Sequence, residues 1–173
     1  MKKILTLLIA TACLIATGCG TVNQTPAERK AEAARVKSQV KQRLDSRHYV
    51  IVIDNMIPLR GGSRPLTSPY SLTIDGDDII SYLPYFGVAY NVPYGGGKAL
   101  NFEAGIKEYS EEAGRRDRRT ITISTDNGED FLVYTLTVFD NGKANLSVNA
   151  RNREPINFQG YLDPDADPSE EKD

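Results

Sequence analysis

The sequence predicts an α+β fold, an N-terminal amphipathic helix packed on a mostly antiparallel β-sheet. Three observations carry that prediction. A helix-start signature at residues 25–28 opens a stretch of helix-favouring residues. The pattern then changes abruptly to β-branched residues at 49–53. The last third holds three alternating runs joined by Asn-Gly turns.

The helix begins at Thr25-Pro26-Ala27-Glu28. Thr25 can cap, Pro26 brings a fixed φ to the first helical position, and Glu28 completes a capping box. Ala, Glu, Arg, Lys and Gln then dominate to about Arg47. Val36, Val40 and Leu44 recur every four residues, a narrow apolar stripe suited to packing on one sheet face. Residues 27–35 are polar nearly all round and read as a stalk.

After His48, Tyr49-Val50-Ile51-Val52-Ile53 reads as a buried strand, continued or paired by residues 55–59. Gly61-Gly62-Ser63 is loop. Residues 70–74 alternate and end in the Asp75-Gly76 turn, and residues 78–83 form a short strand before Pro84. Residues 84–98 are rich in Gly, Pro and Tyr, and 101–111 read as strand then turn. Runs at 120–125, 131–139 and 144–150 are linked by Asn127-Gly128 and Asn141-Gly142, where both turn positions accept positive φ. This is a meander, flat or curved towards a half-barrel. Its apolar set is Ile121, Ile123, Leu132, Tyr134, Leu136, Val138, Leu146 and Val148. Residues 163–173 are acidic with prolines and read as a disordered tail.

The first residues concern location. Lys2 and Lys3 precede an apolar run from Ile4 to Ala16, which is short for a membrane span. Ala16, Thr17 and Gly18 then lead into Cys19. Small residues before a cysteine are what lipoprotein processing requires, so residues 1–18 are expected to be a signal peptide and Cys19 the lipidated residue. Residues 19–24 would be the tether and 25–162 a single domain. Cys13, preceded by Ala10, Thr11 and Ala12, is the competing site. An ordinary secretory signal is the other alternative. A lone thiol in an oxidising compartment favours modification. The expected location is the cell envelope, lipid-anchored, at an outer membrane facing the periplasm.

Removing residues 1–18 leaves 19 basic against 23 acidic residues, a net charge of −4. That excludes a whole-chain electrostatic case for nucleic acid. With Cys13 removed and Cys19 lipidated, thiol catalysis, disulfides and cysteine metal sites are excluded as well. One histidine cannot build a histidine metal cluster, and no Gly-x-Ser-x-Gly elbow exists for a serine nucleophile. The acidic groups at 75–78, 126–130 and 163–167 lack the EF-hand spacing and fall where turns want Asp. No cofactor is expected.

Two segments stand out as contact surfaces. Tyr82, Tyr85, Phe86, Tyr90 and Tyr94 place five aromatics within thirteen residues, followed by Gly95-Gly96-Gly97. Tyrosine offers a flat apolar face with a hydroxyl at low entropic cost, and glycines admit a close-lying ligand. Two readings stay open: a groove for peptide or glycan, or an aromatic cover sealing a sheet edge. Arg115, Arg116, Arg118 and Arg119 surround Asp117. They suit an anionic partner, or form a solvated hairpin connection. Strand alternation from Arg119 would split the cluster between faces.

The stretch from Ser81 through Tyr82-Leu83-Pro84-Tyr85-Phe86-Gly87-Val88-Ala89-Tyr90-Asn91-Val92-Pro93-Tyr94 to Gly97, with Asn101-Phe102 and Phe158-Gln159-Gly160-Tyr161, resembles a Bacteroidetes lipoprotein family designated domain of unknown function 4251. The likeness spans about residues 36–162. It implies an envelope lipoprotein with a helix and a mostly antiparallel domain, and it carries no activity. The expected function is therefore a membrane-anchored, non-enzymatic binding domain whose partner is an envelope protein, peptide or glycan. The alternatives are a carboxylate-dependent hydrolase or glycan-processing enzyme, and a passive structural lipoprotein or carrier of apolar molecules.

Overall fold

The computed structural model describes residues 25–91, 97–114 and 117–169. The chain divides into two compact units, Met1–Ala31 and Glu32–Asp173. The described part of the first is the opening of helix α1 (Pro26–Ser46). There the capping box is formed: the Thr25 amide donates to Glu28 Oε2 at 2.6 Å, and the Glu28 amide to Thr25 Oγ1 at 3.3 Å.

The second unit holds eight antiparallel strands: β1 (His48–Pro58), β2 (Arg64–Asp75), β3 (Asp78–Tyr82), β4 (Asn101–Gly114), β5 (Arg118–Asp126), β6 (Phe131–Phe139), β7 (Lys143–Ala150) and β8 (Arg153–Asp163). Each pairs with the next, and β8 returns to β1, so the expected curved sheet closes fully into a barrel. Closure leaves no end strand with an open edge. Residues 55–58 continue β1 across a bulge between Ile53 and Asn55 that appears in both of its pairings. The segment read as strand then turn is one long strand, β4, and residues 153–163 supply a closing strand absent from the sequence reading.

Alternation places the barrel's inward residues in one apolar cluster. All eight residues of the expected apolar set are buried, joined by Ile51, Ile53, Leu72, Ile74, Ile79, Ile156, Phe158 and Leu162. The buried Tyr134 hydroxyl donates to Ser81 Oγ at 3.1 Å, and Ser81 donates to the Leu100 carbonyl at 2.7 Å. Burial holds the Tyr134 phenol far above its usual range.

As expected, the helix packs on the sheet, and because that sheet is closed, helix residues 36–46 meet it at one end of the barrel. Its partners are the chain turns of that end. Val40 meets Gly142 in the β6–β7 turn, Lys37 pairs with Asp117 and Asp140, and Arg43 donates to the Pro164 carbonyl. Val40 and Leu44 insert into the core, with Val36 partly buried beside them. The segment read as a disordered tail is described through Ser169. Asp163 ends β8, and Pro164 is tied to Arg43 at 2.8 Å.

Polar contacts fix the helix end. Arg119 Nη1 lies 2.6 Å from Asp45 Oδ1 and 2.9 Å from Glu111 Oε1, and Lys41 reaches Asp45 Oδ2 at 2.8 Å. The hydrogen bonds from Lys41 and Arg119 hold the Asp45 carboxyl below its usual range. A depressed folded pKa contributes stability above the unfolded value, near 3.8, that is lost as pH falls through the folded one. Acidification below about pH 4 is therefore expected to loosen the helix. Asp45→Asn should lower Tm at neutral pH and flatten the Tm-against-pH curve in the acid limb. Equal acid sensitivity in both proteins would contradict this role. Because Asp45 is half-exposed, added salt should weaken the effect.

Candidate binding surface at the barrel end opposite the helix

The connection from β3 to β4, residues 83–100, is long for a compact domain. Its base is anchored. Leu83 and Leu100 are buried, and the Leu83 amide donates to the Leu100 carbonyl at 3.3 Å. The Asn101 amide donates to Lys98, and the Lys98 amide to Glu129 Oε2 at 2.8 Å. Residues 88–90 run against the β7–β8 turn and the start of β8 through an isolated bridge. Ala89 bridges Arg153, the Glu154 amide donates to the Val88 carbonyl at 2.9 Å, and the Tyr90 amide to the Asn152 carbonyl at 2.7 Å. Glu154 Oε2 accepts from the Val88 amide at 3.1 Å.

The aromatic residues of this segment divide into two roles. Tyr85 is an anchor: its hydroxyl sits 2.9 Å from the Val88 carbonyl and 3.1 Å from that of Glu154, and burial raises its pKa. Arg153 stacks 5.4 Å from the Tyr85 ring and is itself buried, 3.9 Å from Asp130. Tyr82, Phe86, Val88 and Tyr90 instead face solvent, Tyr90 at 69 % exposure. Arg64 lies 4.0 Å over the Phe86 ring and holds it, while Tyr70 stacks on Tyr82 at 5.4 Å. Tyr82 also edges a groove of about 400 Å³ with Pro69, Ile80 and Asn101. Leu59, in the β1–β2 turn at the same end, is 61 % exposed. Neither Leu59 nor Val88 is among the contact residues expected from the sequence, where an isolated exposed aliphatic carries no signal.

Of the other expected contact residues, Tyr94, Gly95, Gly96, Arg115 and Arg116 lie outside the described residues. Gly97 follows the flap with φ +68°. Arg118 is exposed at the start of β5, and Arg119, its neighbour, turns to the helix clamp. The aromatic segment and Arg118 therefore occupy opposite barrel ends and do not form one site.

The acidic groups are committed to structure. Asp130 accepts the Arg151 and Asn152 amides, Asp126 pairs with Lys107 at 3.0 Å, and Asp75 lies 3.2 Å from His48 Nε2. Asp163 and Asp167 accept amides two residues on. Among the described residues no group of three or more His, Cys, Asp or Glu side chains is placed to hold a metal ion.

A helix-capped, eight-stranded meander barrel with an anchored aromatic flap places the protein in a class of small closed antiparallel barrels. The family model for Domain of unknown function (DUF4251) matches residues 31–162, and the chain belongs to that family. It is also similar to a DUF4251 family protein from Bacteroides eggerthii DSM 20697 known from a crystal structure. The identity is 15 % and the TM-score 0.59, over 77 % of this chain and 90 % of that one, a likeness of fold. No curated protein matches the chain.

Proposed function

We propose that this chain is an envelope lipoprotein whose barrel acts as a non-enzymatic binding module, anchored through Cys19 at the periplasmic face of an outer membrane. The contact surface is the rim carrying Tyr82, Phe86, Val88 and Tyr90, and its partner is the apolar surface of another envelope protein. One observation carries the reading. Among the described residues, six large apolar side chains are exposed, and four of them fall within residues 82–90, with Leu59 at the same end. Scattered exposed apolar residues need no explanation, but a cluster on an anchored frame marks an interaction surface. The anchors keep the exposed rings in place before binding, so little ordering entropy opposes association.

The anchor reading rests on the Lys2-Lys3 start, the apolar run and the small residues before Cys19. Cys19→Ala is expected to move the protein from the membrane pellet to the soluble fraction. Retention in the pellet would refute lipid attachment at that residue. For the surface, Phe86→Ser with Tyr90→Ser should cost no more than about 1.5 kcal/mol, since Tyr90 is mostly exposed while Phe86 is about half covered and loses its contact with Arg64. The same variant should lose the partner that co-purifies with the wild type from crosslinked membranes. Unfolding of this variant would show the segment to be cover, and an undiminished partner would place the contact elsewhere.

A further inference from the structure

A second groove, independent of the aromatic rim, lies on the outer wall over β7 and β8. Its volume is about 550 Å³, within the range of small-molecule sites. Phe139, Lys143 and Tyr161 stand in adjacent strands along one row, Lys143 directly paired with Tyr161. Asn145 and Gln159, also paired, form the next row, with Asp54 projecting from the β1 bulge. Tyr161, Asn145 and Gln159 are exposed.

The wall beyond the groove is unusual in its chemistry. Thr120, Thr137, Asn145 and Gln159 stand side by side on four strands, and the neighbouring row reads Thr, Thr, Ser, Asn in the same order. Neither row carries a charge, although protein surfaces normally intersperse Lys, Arg, Glu and Asp. Hydroxyls and primary amides both donate and accept hydrogen bonds, so the rows can match a ligand dense in hydroxyl groups. The flanking aromatic faces suit the flat C–H face of a pyranose ring. Lys143 and Asp54 offset each other, so nothing selects a strongly charged ligand.

We infer that this groove binds an uncharged pyranose oligosaccharide. Phe139 and Tyr161 provide the stacking faces, and Asn145 and Gln159 hydrogen-bond the ring hydroxyls. The test is a nitrogen-15 NMR titration of the full protein with cellohexaose, maltohexaose and chitohexaose, and with oligogalacturonate as the charged counterpart. About 5 mM ligand suffices to detect a millimolar Kd. At least one neutral hexaose should shift the Asn145 and Gln159 side-chain amide signals. Tyr161→Ala and Asn145→Ala, both surface changes, should each weaken binding about tenfold or more, while Phe86→Ser with Tyr90→Ser leaves it unchanged. The inference is overturned if no neutral hexaose shifts those amides, if only oligogalacturonate does, or if the rim variant and not the groove variants removes the response.

Discussion

Gly160→Ala is expected to prevent folding or to cost more than about 4 kcal/mol, a large penalty for one methyl group. The reason is local. Gly160 sits opposite Ile53 at the bulge of β1 and opposite Ala144 on the other side. A Cβ there would fall on the carbonyl oxygen of Val52, with the Val52 carbonyl carbon and Ile53 Cα also within 3.0 Å. These are backbone atoms of the closing strand pair, so no rotamer change relieves the clash. A glycine at a bulge lets two backbones approach where the barrel must bend. Gly105→Ala on β4 is the matched control, since a Cβ there meets nothing within 4 Å. That change should be neutral or stabilise by about 0.5 kcal/mol through the unfolded chain. Equal melting temperatures for the two variants would show that β1 and β8 do not close as described.

Leu44→Ala is expected to cost roughly 3 kcal/mol, the usual loss for a large aliphatic removed from a packed core. In a domain of this size that lowers Tm by about 10 °C. Leu44 is 1 % exposed and joins the helix to the barrel's interior cluster. Its loss should also free the helix end, leaving the Asp45–Arg119–Glu111 contacts without the burial that positions them. Amide hydrogen exchange should rise first across residues 36–46. Ser38→Ala, on the exposed side of the same helix, should stay within about 0.5 kcal/mol of the wild type. If Leu44→Ala were as harmless as Ser38→Ala, the helix would not be part of the folded core.

Local features of this fold were legible because local chemistry determines them. Thr25 and Glu28 specify the helix start within four residues, and Asn127-Gly128 and Asn141-Gly142 specify hairpins, although only Gly128 and Gly142 take positive φ while the Asn127 and Asn141 side chains accept the amides of Glu129 and Lys143. The inward set of β5 to β7 follows from strict alternation. Closure was not legible. It depends on β1 meeting β8 about a hundred residues away, and the signal for that meeting is a glycine and a bulge, which in isolation read as an ordinary strand irregularity. The helix stripe read as packing on one sheet face; that this sheet is a closed barrel whose end receives Val40 and Leu44 depends on the distant β1–β8 pairing. The site was partly legible: aromatic density drew attention to residues 82–94. Only tertiary contacts separate Tyr85, whose hydroxyl anchors the flap, from Phe86 and Tyr90, which remain exposed. Gln159, Gly160 and Tyr161 stood out only within the family resemblance, and the groove they line was not legible, since its strand residues come from β1, β6, β7 and β8 and are assembled by register.

The binding-surface reading is tested most directly by site-specific photo-crosslinking in native envelopes. A photoreactive phenylalanine replaces Tyr90 in one variant and Glu108, on the exposed wall of β4, in another. The account predicts a discrete protein adduct from position 90 that is absent from position 108 and is lost when Phe86→Ser is added. The same adducts from both positions, or none from position 90 in correctly folded protein, would contradict it.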